Sequence, residues 1–554
     1  MTKFWILFFV FITFSNADIY YLDAENGNDF SSGKSPKSAW KSIKKLNGFR
    51  FKPGDTISFK RGSVFRGYFI VSSSGNKNKP IVFTSYGKGD LPVITSMKEL
   101  PGSKIPENWE NVDGKNIWSF NLNFNPQRIL IDDKEVLRAG KMPLEIDGRK
   151  IKWFWNNNKL YVYSEQNPAF GCNSIKINIR YETVLVKDKH NIIFQDLDIQ
   201  GGNGYALAIR GSHDIVVKNC TIGGYSRMGL QIMDNKEESR FVPSHDVIVE
   251  NCLVDSKFHF KGYKAPSTRG SIDGILLNSG AHDCIVRNNR IKDWGHTGIN
   301  IVALNRQNPG VYNNKFYSNY ITGENLSYSR GIGIDGVENR AHHNEFFYNI
   351  IKNTTVRSQL NGDHNRFHHN IIDTVKNSPI KPYGTAQGIE IQGYGKNYVS
   401  HDNTIDNNVI IDCEEAGIRI RAGENDKYNN FVRNNIIYNC GINSKDKLDG
   451  MGLVIDNHKS VKNNTFLNNC IYNGSTSRKI IFYKGKFLTV KEFNKINKVD
   501  KISNNIQKDP EFMDVKKRDL HLKSSSPCID AGIAVEKNHR FKGKSPDIGF
   551  YEER

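Results

Sequence analysis

Val249-Glu-Asn-Cys-Leu-Val254, Val286-Arg-Asn-Asn-Arg-Ile291, Asp406-Asn-Asn-Val-Ile410 and Arg433-Asn-Asn-Ile-Ile437 are versions of one word, an Asn or Asn-Asn followed closely by aliphatic residues. Outward from these, the word recurs as Val217-Lys-Asn-Cys-Thr-Ile222, Tyr317-Ser-Asn-Tyr-Ile321, Phe347-Tyr-Asn-Ile-Ile351, His368-His-Asn-Ile-Ile372 and Leu467-Asn-Asn-Cys-Ile471. Nine copies spaced by about 21 to 37 residues imply one coil per copy, with insertions of varying length between coils. Asn tolerates the left-handed backbone of a tight corner, and its amide can pair with the equivalent Asn one coil away. Strands between corners then stack about 4.8 Å apart along the axis. The result is a solenoid of short parallel strands whose paired aliphatics fill the lumen.

A second word precedes six of these: Gly274-Ile-Leu-Leu277, Gly298-Ile-Asn-Ile301, Gly331-Ile-Gly-Ile334, Gly388-Ile-Glu-Ile391, Gly417-Ile-Arg-Ile420 and Gly452-Leu-Val-Ile455. Alternation over four residues is the half-buried strand signal, with two aliphatics pointing inward and the residue between them outward. Function can be written at that outward position.

The N-terminal stretch Tyr20-Tyr-Leu-Asp-Ala-Glu-Asn-Gly-Asn-Asp29, the block Phe51-Lys-Pro-Gly-Asp-Thr-Ile57 and Lys79-Pro-Ile-Val-Phe-Thr-Ser-Tyr-Gly87 resemble the start of exported bacterial right-handed parallel β-helix proteins. The resemblance to this pectate-lyase-like superfamily runs to Asp509-Pro-Glu-Phe512 and Ser526-Pro-Cys-Ile-Asp-Ala-Gly532. It implies an all-β fold, a right-handed parallel β-helix solenoid with an N-terminal capping helix and a β-rich insertion. For activity it implies only a range, since the superfamily holds polysaccharide lyases, glycoside hydrolases, epimerases and non-catalytic spikes. The Asp-Pro-His word of mannuronan epimerases is absent from the sequence.

Residues 1–17 read as a secretory signal peptide: Lys3, an apolar run from Phe4 to Phe14 too short to span a bilayer, then Ser15-Asn-Ala17. The expectation is a secreted or periplasmic protein with no transmembrane segment after signal cleavage. Residues 18–100 read as N-terminal cap and first coils, with a helix opening at Ser35-Pro-Lys-Ser-Ala-Trp40 that buries Ala39, Trp40, Ile43 and Leu46. Residues 101–180, rich in Trp, read as the insertion, a structural flap rather than a sugar-binding surface. Residues 181–472 are the central β-helix, and 473–554 a C-terminal loop and closing coil.

Net charge is +19 with a pI of about 9.3, which fits attraction for a polyanion. For an exported chain an acidic polysaccharide is the expected partner and nucleic acid is not. Of eight cysteines, Cys220, Cys252, Cys284, Cys413, Cys440 and Cys470 sit at or near corner words. They read as a stack of small buried side chains rather than disulfides or metal ligands.

With the second words in register, one outward column runs Leu276, Asn300, Gly333, then Arg357 or Gln359, Glu390, Arg419 and Val454. The next runs Asn278, Val302, Asp335, Gln392, Arg421 and Asp456. Asp335, Arg357, Glu390 and Arg419 are the candidate catalytic residues, and Arg421, Asn300, His296 and Asp273 the candidate substrate-binding ones. Insertions at Asp234 to His245, Ser256 to Ser271 (with Lys261, Lys264 and Arg269), Ala303 to Gly310 and Lys376 to Gln387 would wall the site.

Two chemistries fit these residue types. In β-elimination from a uronic acid, a base removes the proton α to a carboxylate that arginine, lysine or a metal must neutralise. Asp335 and Glu390 could hold Ca2+ for that purpose. In hydrolysis the same two carboxylates, about 10 Å apart across two coils, would act as acid and base. The sequence reading favours a lyase on a uronic-acid-containing polysaccharide, with glycoside hydrolase and non-catalytic glycan-binding solenoid as alternatives. It also expects Glu390→Ala and Arg419→Ala to leave the fold intact. His342-His343 and His368-His369 read as structural.

Overall fold

The computed structural model describes residues 17–553, apart from 113, 115, 127, 139–151, 238–239, 257–271, 293, 324–328, 338, 379–385, 393–398, 424–425, 443–447, 497–498 and 536–540. The segment read as a signal peptide lies outside these except for Ala17. Among the described residues no helix is long and apolar enough to cross a membrane.

Successive coils supply strands to three long sheets of 14, 12 and 13 strands, parallel except for the last strand of the 13-stranded sheet, and later coils add a strand to a short sheet of six. In the 13-stranded sheet the second words pair in register: Ile299 with Ile332, Ile389 with Ile418, Ile418 with Leu453. Inward residues form ladders of like side chains, such as Phe316 on Phe346 with centroids 4.5 Å apart. Ile301, Ile334, Ile391 and Ile420 form another and are fully buried.

Two asparagine columns bound the 14-stranded sheet. The first descends from Asn289 through Asn319, Asn349, Asn370, Asn408, Asn435 and Asn469 to Asn505; each Nδ2 donates to the next Oδ1 at 2.9–3.1 Å and each side chain is buried. The second runs Asn314, Asn344, Asn365, Asn403, Asn430, Asn464, ending on Asp500. The left-handed corner residue is the one before each ladder member, as at Asn288 and Asn434 with φ of 56 and 53°; Asn219 and Asn251, with φ of 53 and 54°, hold the same corner before Cys220 and Cys252 in the earlier coils. Turn and stack are thus divided between adjacent residues. Asn349 belongs to the stack, and Tyr348 takes its corner with φ 53°. All eight cysteines are free and buried, and Cys252 and Cys284 cap the two ladders by donating backbone N–H to Asn289 and Asn314 at 2.9 Å.

The N-terminal helix is shorter than the sequence implies. Pro36–Ser38 is a single 3-10 turn and the α-helix is Ile43–Asn47, capped by the Ser42 hydroxyl. Between them Asp29 accepts the Lys41 and Ser42 N–H groups, at 2.8 and 2.9 Å, and Trp40 N–H donates to Tyr21, which holds the chain extended. The four apolar residues expected on one face are nonetheless all buried. At the other end the helix Val490–Phe493, with a Thr489/Glu492 capping box, buries Val490 and Phe493 against the last coil.

From Met97 to Asn178 the insertion builds a four-stranded and a five-stranded sheet around Trp109, Trp153, Leu160, Ile129 and Ile177. The indole N–H groups of Trp109, Trp118, Trp153 and Trp155 donate to the backbone of Ser103, Ser164, Val136 and Leu122. Its tryptophans therefore serve its own structure. Buried Arg128 anchors it to the coils by donating to the Ser256 carbonyl at 3.1 Å. The C-terminal hairpin of Phe512–Asp514 and Asp519–Leu522 returns along the outside of the 12-stranded sheet, over Ile371, Val409, Ile411 and Ile436.

Candidate functional site

The outward face of the 13-stranded sheet carries the candidates, and strand register fixes their columns. Leu276, Asn300, Gly333, Gln359, Glu390, Arg419 and Val454 pair in series. Gln359, not Arg357, occupies the irregular coil's place in this column. Asp335 follows Val302 in the neighbouring column.

The candidates separate into two groups along this face. The first is built around Asp273 at the start of Asp273–Asn278. Its carboxylate meets His296 Nδ1 at 2.8 Å, accepts the Thr297 N–H at 3.0 Å, and accepts from Asn300 Nδ2 at 3.0 Å. Asp273 is 1% exposed in its side chain and His296 27%, so a buried carboxylate orients a solvent-reaching imidazole. Asn300 belongs to this group because its strand residue faces out one coil beyond Leu276.

Arg330 links this group to Asp335. A side chain at Gly333 would collide with both Arg330 Nη1 and Asn300 Oδ1, each 2.8 Å from where its Cβ would stand. Glycine there leaves room for the guanidinium to lie across the strand and donate to Asp335 at 3.1 Å. Gln359 also donates to Asp335, and Gln392 to Gln359 at 2.6 Å.

In the second group Arg357 Nε lies 2.8 Å from Glu390 Oε1 without hydrogen-bond alignment, and Arg421 Nη1 lies 3.6 Å from the same oxygen. Glu390 and Arg357 are 0% and 5% exposed, whereas Arg421 is 37% exposed. Arg419 makes a paired contact with Asp456 at 3.2 and 3.1 Å. Two predicted catalytic residues are thus a buried ion pair, which corrects the expectation that both face the cleft. Removing Glu390 would take this carboxylate away from two guanidinium groups, one of them buried, which bears on stability as well as on the site.

Asp335 and Glu390 are two coils apart as expected, yet each faces a guanidinium. Glu390 is fully buried, whereas Asp335 is partly exposed. Toward the N-terminal end of the face, Arg227 Nη1 donates to the Tyr181 hydroxyl at 2.6 Å, and that hydroxyl to Tyr205 at 3.4 Å. Burial pushes the Tyr205 phenol up to about 12, leaving it protonated at neutral pH. The sequence reading missed Arg330, Arg227 and these tyrosines because they lie outside the four-residue words; Arg330 directly precedes Gly331-Ile-Gly-Ile334.

Of the expected walls, Asp234 to His245 forms a hairpin of Asn235–Glu237 and Arg240–Val242. Lys261, Lys264 and Arg269, and most of Lys376 to Gln387, lie outside the described residues. The histidine pairs are structural as read: His342 ends a stack through Tyr312, His282, His245 and His213 to His190, and His368 stacks on Phe347 and contacts Glu345 at 2.9 Å.

Residues 136–260 match a family model described as right handed beta helix region, and residues 358–540 match one described as disaggregatase related. No match was found among curated proteins. Similar solved structures include the complex of XylC with xylose (13% identity, 89% of this chain and 87% of that one, TM-score 0.48). A lacto-N-biosidase from Eubacterium ramulus (13%, 88% and 68%, TM-score 0.39) and a rhamnogalacturonan lyase (11%, 90% and 92%, TM-score 0.44) are also similar. With its coils, sheets and ladders, the chain folds as a parallel β-helix, and its residues 136–260 match the right-handed form of that fold.

Proposed function

We propose that this chain is an exported enzyme that cleaves a uronic-acid-containing polysaccharide by β-elimination, with His296 as the base. The observation that carries the reading is the Asp273–His296 contact at 2.8 Å on a face where the described carboxylates Asp335, Glu390 and Asp456 each lie against a guanidinium group. A carboxylate-oriented imidazole has the geometry of a general base. Arg421 and Arg419, about 19 Å along the face by strand spacing, would bind substrate carboxylates several sugars from the reacting one. The sequence reading took His296 for a substrate contact and placed the catalytic residues at Asp335, Arg357, Glu390 and Arg419. Asp335 then holds Arg330 in place, and Arg357 and Glu390 hold the sheet face and Arg421.

The test is incubation of the purified protein with acidic and neutral glycans, following ultraviolet absorbance of unsaturated ends together with reducing ends. Both signals are expected on a uronate polymer. His296→Ala should lower kcat by about 10²–10⁴-fold, and Arg421→Ala should chiefly raise KM. Reducing ends without absorbance would make the enzyme a hydrolase. Saturable binding without either product would leave a glycan-binding solenoid.

A further inference from the structure

We propose a transition-metal site, of the kind that takes Zn2+, at the corner where His364 meets His401 and Asp402. One ligand atom from each lies within 4.8 Å of the other two. His401 Nδ1 is 2.6 Å from Asp402 Oδ2, and His364 Nε2 is 4.0 Å from the same oxygen. The two rings meet edge to face at 5.7 Å.

The backbone makes this convergence. His364 and Asp402 hold the same left-handed corner on successive coils, with φ of 55 and 53°. Asp363 pairs with His401 in the strand just before that corner. The His364 N–H donates to the His401 carbonyl at 3.1 Å, which fixes the spacing of the coils.

A second observation points to a metal. Asp363, 4% exposed in its side chain, lies 3.1 Å from His364 Nδ1 and also accepts the Asn339 N–H at 2.9 Å. That contact sets the tautomer and leaves Nε2 turned to Asp402, the carboxylate–histidine–metal arrangement of metal centres. Tetrahedral metal–ligand bonds of about 2.0–2.1 Å set ligand atoms roughly 3.3 Å apart, so His364 Nε2 must close on Asp402 from 4.0 Å while the 2.6 Å contact between His401 and Asp402 opens. His364, 45% exposed, has room to move, and the solvent side leaves a fourth position for water. Two imidazoles and one carboxylate suit Zn2+ and its neighbours rather than Ca2+, which takes oxygen ligands. The site sits one corner round from Gln359 and Gln392, on the coils that carry the Arg357–Glu390 pair, so a bound ion would clamp those two coils together.

Metal-depleted full-length protein titrated with Zn2+ calorimetrically should bind one equivalent saturably and gain thermal stability, with Ca2+ failing to compete. His364→Ala and His401→Ala should each weaken that binding by at least 10-fold, and Asp363→Asn by about 10–100-fold. His343→Ala removes a ring stacked on His364 at 5.0 Å but no ligand, and should bind as the parent does. Circular dichroism of the metal-free variants checks that the coils remain. Absence of saturable binding by the parent protein would overturn the proposal, as would unchanged binding by folded His364→Ala and His401→Ala.

Discussion

At the scale of single residues, the site face shows how position in a coil decides what a charge is for. Glu390 and Arg421 face the same side of the sheet, yet Glu390 is fully buried between Arg357 and Arg421 while Arg421 reaches solvent. Removing the carboxylate of a buried ion pair takes away the counter-charge that Glu390 gives Arg357, so Glu390→Ala should cost about 3–5 kcal/mol of stability. Arg421→Ala breaks only a 3.6 Å contact made by a side chain that is itself partly exposed, and should stay within about 0.5 kcal/mol of the parent. Urea unfolding of both variants checks this, and equal stabilities would show that Glu390 is not held as an ion pair. The sequence alternation placed both residues on the right face because inward and outward positions strictly alternate. It could not tell which was covered, since burial there comes from side chains two residues away and from neighbouring coils.

At the scale of the repeating element, adjacent asparagines do separate work. Asn288 supplies a corner with φ 56°, whereas Asn289 accepts from Cys252 N–H and donates to the Val249 carbonyl and to Asn319. Asn288→Ala should therefore cost about 1–2 kcal/mol of left-handed strain. Asn289→Ala orphans buried backbone groups at about 1–3 kcal/mol each and should cost more. Denaturant midpoints of the two variants measure the difference; equal losses would argue against the division. The corner word was legible because turn chemistry and aliphatic stacking mark the same few residues. The second ladder, from Asn314 to Asn464, was overlooked although it lies five residues before the first, as in Asn314-Lys-Phe-Tyr-Ser-Asn319. The reading sought one corner per coil, and a three-residue strand needs two. The His364 cluster was not legible at all: His364 stands 37 and 38 positions before His401 and Asp402, across an insertion, and only the register of successive coils brings them together.

At the scale of the whole molecule, a solenoid whose coils touch only their neighbours gains a non-local tie from its C-terminal segment. Arg518 meets Asp373 at 3.1 Å and also pairs with Asp412. The side chains of Asn407, Asn434 and Asn468 donate to the carbonyls of Asp547, Ile533 and Ala531. Three successive coils are thereby fastened from outside by residues about 60 to 140 positions later. Glu552 lies in this strap. Burial, then the charges of Asp547 and Asp530, raise its carboxyl from an ordinary 4.5 to about 7. Between these values the folded chain holds a proton that the unfolded chain has released, so docking weakens as pH rises through that window and is flat above it. Amide exchange, corrected for its intrinsic pH dependence, should report this at Ile548 and Gly549, whose N–H groups donate to Cys528 and Asn434. Their protection should fall between about pH 5 and pH 7.5 while lumen strands such as Ile389–Ile391 hold theirs. Glu552→Gln stays neutral throughout and should flatten the profile. A variant that kept the parent's slope would assign the titration to another group and leave Glu552 without a part in fastening the strap.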